Sequence, residues 1–241
     1  MATEPSSGSA VAGYVRRYNR KTRWFHAVSY TILVVLFGTG WWLTLGNEGR
    51  PSILARVSGV PDTRIHTLTG WVSAAVAVVG LLAGRRALRT FLDESVRSDP
   101  GDLEWFRRWP VAVLTGRFPP HRGHFDPGQR LFNLAIAVCL LVVIASGVGL
   151  AWLSGGSLFT VLVRVHRWGT YVGTALILGH VTIASGILPG YRGAWKSMHL
   201  GGRLPVQVAR RLWPSSTSSS LRGNRSNEGS GQRDQGKDRP S

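Results

Sequence analysis

The sequence predicts an all-α membrane protein whose core is a four-transmembrane-helix bundle. Three observations carry this expectation. Charged residues are absent from four long stretches, each stretch is long enough to cross a bilayer, and arginine and lysine collect in alternate connections between them.

Composition sets the bounds. The 241 residues include 29 Lys and Arg against 12 Asp and Glu, a formal net charge of +17, yet 44% are hydrophobic and only 17% are charged. That balance excludes a disordered basic chain and a coiled coil. A single cysteine excludes a disulfide framework, a Cys-rich zinc site and an iron–sulfur cluster held by this chain alone. The mean hydropathy of +0.03 resembles that of a soluble protein only because it averages over segregated stretches.

Residues 24–47, 65–84, 131–163 and 168–191 contain no Asp, Glu, Lys or Arg. A helix rising about 1.5 Å per residue needs about 20 apolar residues to cross a hydrocarbon core about 30 Å thick. A soluble amphipathic helix would show charge on its outer face every three or four residues; these stretches show none. Ser154-Gly155-Gly156-Ser157 divides the third stretch from the fourth. Helices are therefore expected at about 24–46, 65–84, 127–153 and 160–190, in one transmembrane domain over 24–200. Residues 1–23 form an N-terminal segment, 85–126 a connection whose Trp and Arg mixture suits the membrane interface, and 201–241 a tail that is expected to be largely disordered, with almost nothing apolar beyond about Ser215. No internal repeat is evident.

Orientation follows from the basic residues. Arg16, Arg17, Arg20, Lys21 and Arg23 precede the first span, eight arginines lie in the middle connection with Arg130 just after it, and Arg192, Lys196, Arg203, Arg210 and Arg211 follow the last. The positive-inside bias puts both termini and the middle connection in the cytoplasm of a multi-pass cell-membrane protein. The first span lacks a small-residue cleavage site and reads as a retained anchor. Anionic lipid contact and topology account for the basic charge, and no nucleic-acid motif is present.

Four of the seven histidines, His26, His66, His166 and His180, lie in or at the ends of the spans. A polar ring in hydrocarbon is costly unless partnered, so each is a functional candidate. The predicted topology puts His26 and His180 toward the inner face and His66 and His166 toward the outer. His166 and His180 are 14 residues apart, about 21 Å along a helix and within about 40° of one face. Each pair would bracket a planar group between helices, as cofactor sites in bundle cores do. Haem b fits, because an imidazole on either side fills both axial positions and leaves iron only electron transfer. Zinc needs three or four ligands around one point, and proton relays need carboxylates, which the spans lack. Gly38, Gly40, Gly70, Ser146, Gly147, Gly149, Gly169, Gly173 and Gly179 either make room for a macrocycle or let helices pack closely. Arg64 and Arg167 either neutralise propionates or end helices in solvent. His121 and His124 read as solvated loop residues, His199 as interfacial, and Cys139 as an apolar filler.

Four stretches, YNRKTRWFHAVSY, RIHTLTGW, FDPGQRLFN and RVHRWGTYVGTALILGH, resemble the membrane cytochrome b (gamma) subunit of respiratory formate dehydrogenases, within the wider group of di-haem cytochromes that anchor nickel-iron hydrogenases. The likeness runs from about Tyr18 to Arg211, and GAWKSMHLGGRLPVQVARR resembles the segment after the last helix in the formate dehydrogenase branch. It implies two haems b, one held by His26 and His180 and one by His66 and His166. It also implies a menaquinone or ubiquinone site beside the inner haem, using Asp126, Gly128, Gln129 and His180. The family's aromatic-Asn-x-Gly-Gln-Lys motif reads Phe125-Asp126-Pro127-Gly128-Gln129-Arg130 here. Asp126 either handles a quinone proton or caps the helix that Pro127 opens.

The expected function is electron transfer between an extracytoplasmic iron–sulfur (beta) subunit, itself served by a catalytic (alpha) subunit of formate dehydrogenase type, and the quinone pool. Such a chain has no catalytic substrate site of its own beyond the quinone, and the complex can oligomerise. A quinol-oxidising subunit of a hydrogenase or thiosulfate reductase, and a haem-free anchor whose histidines make only helix contacts, are the alternatives.

Overall fold

The computed structural model describes residues 13–47, 49–214 and 217–218, and is almost entirely helical. After the short strand β1 (Tyr14–Arg16) come α1 (Arg20–Thr44), α2 (Ile53–Ser58), α3 (Asp62–Ala83), α4 (Arg85–Ser95), α5 (Asp102–Thr115), α6 (Pro127–Trp152) and α7 (Gly156–Ala184). A 3-10 turn (Pro189–Tyr191), α8 (Lys196–His199), β2 (Arg203–Pro205) and α9 (Val206–Leu212) complete it. The chain divides into two compact units. One contains the described parts of Met1–Asn19, Asp99–Asp126 and Ala184–Ser241, and the other contains Arg20–Ser98 and Pro127–Ile183.

The second unit is the apolar bundle. Val34, Leu141 and Leu178 are 69%, 66% and 63% exposed, so its outer surface is oily, as lipid contact requires. Helices α1, α3 and α6 are each long and apolar enough to cross a membrane. Among the described residues there are up to four such spans, if α7 and the bent segment Pro189–His199 after it count as one. The helices pack through small residues: a Cβ at Gly80 of α3 would stand 2.7 Å from the Phe25 ring of α1. On the other side, a Cβ at Gly169 of α7 would stand 2.7 Å from Val143 of α6, and one at Gly149 of α6 the same distance from Leu162 of α7. These glycines admit a side chain where any larger residue would collide. In the connection between α1 and α3, Ser52 caps α2 by accepting from the Ala55 amide, while its own amide donates to Asp62 at 2.8 Å.

The first unit is built from three separated stretches of sequence. Strands β1 and β2 pair antiparallel, with Tyr14 opposite Pro205 and Arg16 opposite Arg203. Leu204, Val206, Ala209, Leu212 and Trp213 are buried around that pair. The Arg17 guanidinium lies 4.3 Å from the Trp213 ring centroid and donates to the His124 carbonyl at 2.6 Å. Elsewhere in the unit Trp105 stacks on Phe118, and the Trp109 indole donates to the Tyr191 hydroxyl at 3.1 Å. Gly190 allows close approach: a Cβ there would be 2.8 Å from the carbonyls of Ala112 and Val113.

Several bounds differ from the sequence expectation. Helix α1 begins at Arg20, not near 24, because Arg and Lys are good helix formers whose long stems reach the interface. Helix α7 ends at Ala184, not near 190, where Gly186 takes φ 76° and Pro189 follows. The 85–126 connection contains two helices, and residues 203–212 of the expected tail form β2 and α9. The disorder expected beyond Ser215 falls almost wholly outside the described residues.

Candidate functional site

Three helices of the bundle present the four intramembrane histidines, all half-buried: His26 on α1, His66 on α3, and His166 and His180 on α7. The structure brings them together in two pairs. The rings of His26 and His180 have centroids 6.4 Å apart and planes inclined at 49°. Those of His66 and His166 are 6.2 Å apart and inclined at 88°. Because α7 is continuous from one histidine to the other, the two pairs lie at levels about 21 Å apart along its axis.

That spacing can be tested against a shared metal. With metal–imidazole nitrogen bonds of about 2.0–2.1 Å, two rings on opposite sides of one ion have nitrogens about 4 Å apart and centroids about 6 Å apart. Both pairs meet this measure. Among the described residues there is no group of three or more His, Cys, Asp and Glu able to hold a metal. What the pairs can offer is two-coordinate axial ligation to a metal whose remaining positions are filled by something else, as in a porphyrin.

Hydroxyl groups on neighbouring helices reach the His66–His166 pair. The Thr39 hydroxyl of α1 is 2.9 Å from His66 Nδ1, and the Ser146 hydroxyl of α6 is 3.1 Å from His166 Nδ1. Both hydroxyl residues are buried. The glycine after each lies against the same ring, since a Cβ at Gly40 would be 3.1 Å from His66 Cε1 and one at Gly147 would be 3.1 Å from His166 Cε1. The other glycines divide differently. Gly149, Gly169, Gly173 and Gly179 face side chains of neighbouring helices, whereas a Cβ at Gly38 or Gly70 would meet nothing within 4 Å.

Along α7, Tyr171 and Thr174 occupy the stretch between the two histidines. Trp41 of α1 reaches both, with its ring 5.4 Å from that of Tyr171 and its indole donating to the Thr174 hydroxyl at 2.9 Å. The sequence reading singled out none of Thr39, Trp41, Tyr171 and Thr174. Their signal, a hydroxyl or aromatic residue in a span, is too common to separate from packing.

The other candidates stand as follows. Arg64 and Arg167 are exposed, and Arg167 reaches the Tyr171 hydroxyl at 3.5 Å. Gly128 and Gln129 lie in the first turn of α6 and are half-buried, as His180 is in α7. Asp126 belongs to the other unit, where it is buried. Its charge and the burial of Tyr191 together raise the Tyr191 phenol pKa well above its ordinary value, burial being the larger cause. His121 is buried, not solvated, because residues 99–126 fold into that unit's core. His124 is held by Arg17 and His199 is exposed. Cys139 points its thiol at the Gly169 carbonyl, 3.3 Å away between α6 and α7.

A family model described as prokaryotic cytochrome b561 matches residues 17–201. No curated protein matches the chain.

Proposed function

We infer a specific role from the premise that the chain belongs to the prokaryotic cytochrome b561 family, and is thus a multi-pass membrane electron-transfer protein that uses haem b. In this reading the chain holds two haems b, one between His26 and His180 and one between His66 and His166. The observation that carries it is the equal spacing of the two ring pairs, 6.4 and 6.2 Å between centroids, built from three different helices. Helix-packing contacts alone would not require two pairs to share the span of a metal and its two axial bonds.

Bound haem b supplies a one-electron couple. The residues of the chain do the rest. His26 with His180 and His66 with His166 would hold the groups and would leave no position for oxygen or substrate, so the site would pass electrons and do no other chemistry. The apolar bundle excludes water from the rings. One histidine of each pair on α7 fixes the distance between the two levels, and Trp41, Tyr171 and Thr174 fill the interval with packed side chains.

The partners proposed are those of a formate dehydrogenase-like complex: an extracytoplasmic iron–sulfur subunit that exchanges electrons with the His66–His166 level, and behind it a catalytic subunit. A quinone takes the electrons at the His26–His180 level, with Gly128, Gln129 and His180 as the bundle's candidate contacts. Support comes from the sequence stretches before and after the spans and from the arginine distribution, which favours cytoplasmic termini. Moving an electron inward against the membrane potential costs about 2.3 kcal/mol per 100 mV, so the donor must be strongly reducing, as formate or hydrogen is.

The test is a reduced-minus-oxidised spectrum of the purified full chain with haem quantified per polypeptide. Two b-type haems per chain are expected. One haem, or none that can be reduced, would remove the two-site reading.

A further inference from the structure

We infer that Thr39 and Ser146 are positioning residues for the outer histidine pair, each fixing the tautomer and the turn of one imidazole from the ring's far side. The inference rests on the two-haem reading and adds to it what aims the ligands.

A serine or threonine hydroxyl has one proton to donate. Thr39 Oγ1 lies 2.7 Å from the Val35 carbonyl, and Ser146 Oγ lies 2.7 Å from the Val142 carbonyl, so in each case that proton is directed back along its own helix. Toward the histidine the oxygen can then only accept. Each Nδ1 must therefore carry a hydrogen, and each Nε2 is left as the lone-pair nitrogen, the form in which an imidazole binds a metal. A second acceptor requires the same tautomer at His166, because its Nδ1 also lies 3.1 Å from the Val143 carbonyl, which has no proton to give.

The two devices match residue for residue. Val35-Leu36-Phe37-Gly38-Thr39-Gly40 of α1 serves His66 of α3, and Val142-Val143-Ile144-Ala145-Ser146-Gly147 of α6 serves His166 of α7. In both, a hydroxyl and the glycine next to it make contact with one ring, and at His166 the carbonyl three residues before the hydroxyl does so too. Back-bonding of a hydroxyl to the preceding turn is common in membrane helices. It does not explain why the same oxygen takes up a histidine in both helices, nor why a glycine beside it lies against that ring.

The experiment uses the full chain purified from membranes, with Thr39→Val, Ser146→Ala and Thr39→Ser variants. Valine keeps threonine's shape and removes only the hydrogen bond, and alanine removes only the serine hydroxyl. Loss of a ligand's outer hydrogen bond typically costs about 10–100-fold in affinity, so T39V and S146A should release one of the two haems that much more readily to a haem acceptor. The potential of that haem should rise, because an imidazole that has lost an acceptor at Nδ1 donates less electron density to the ferric state. The other haem should titrate as in wild type, which shows that the bundle has assembled. T39S, which retains the hydroxyl, should restore both properties. Unchanged haem retention and potential in T39V and S146A would overturn the inference, as would a T39S variant as impaired as T39V. If wild type itself lacked the second haem, the parent reading would fall with it; a two-haem wild type with unmoved variants would sink this inference alone.

Discussion

Gly147 lies so close beneath the imidazole of His166 that a methyl group on it would stand 3.1 Å from Cε1. A contact that tight makes the ring give way by a few tenths of an ångström. In a helix interior, alanine is otherwise better than glycine by about 1 kcal/mol. Gly147→Ala and its counterpart Gly40→Ala should therefore leave the helices at least as stable while weakening haem retention at the His66–His166 pair about tenfold, at the low end of what a ligand's supporting contacts are worth. Thermal unfolding of the protein and haem content, measured on the same samples, should move in opposite directions; parallel losses would mean that the glycines serve packing instead.

Removing a ligand should separate the two levels. His66→Ala is expected to leave one haem per chain, and His26→Ala to leave one of different potential. Redox titration of the pair of variants checks this. Two variants that retain the same single couple would contradict the pairing of rings seen here.

The Tyr191 phenol predicts an alkaline transition. Its pKa is raised above the unfolded value of about 10, by burial first and then by the Asp126 charge. A group whose folded pKa is raised contributes stability that is complete below the unfolded value and is lost as pH climbs toward the folded one. Stability should thus fall as pH rises above about 10. Asp126→Asn removes one of the two causes, so the phenol should ionise at lower pH than in wild type and less stability should be lost. Phenolate absorbance followed against pH reads the shift, and an unmoved or higher midpoint in the asparagine variant would refute the assignment.

Arg17 does two jobs that a lysine cannot combine. Its planar guanidinium faces the Trp213 ring while Nη2 donates to the His124 carbonyl. Arg17→Lys keeps the charge but loses the flat stack and the fork, at a cost of about 1–2 kcal/mol. Limited proteolysis near residues 124 and 213 should quicken. Equal cleavage rates in the two proteins would show that charge alone matters at this position.

Much of the bundle was legible because the absence of charge is a one-dimensional signal that needs no partner to be recognised. The histidines were legible for a related reason: two on one helix, 14 residues apart, must share a face. The rest depended on contacts distant in sequence. Strands of three residues such as β1 and β2 have no periodicity to detect, and Tyr14 meets Pro205 only in the folded chain. His121 reads as solvated because it lies in a connection with no matching ligands near it in sequence, yet the fold buries it. The spacing of Val206, Ala209 and Leu212 did carry a helical signal, and the polar sequence that follows obscured it. Thr39 carried no signal and Ser146 only that of a small residue, because a hydroxyl in a membrane helix usually bonds only its own preceding turn, and only the rings opposite them distinguish these two.

Since His166 and His180 are mounted on one unbroken rod, neither can be rotated about that axis without the other. Any roll of α7 resets the geometry of both ring pairs at once, whereas a shift confined to α3 reaches only the His66 ring and its pair. The two histidine pairs thus share a common axle, and their tuning by evolution or by mutation on that helix is linked from the start.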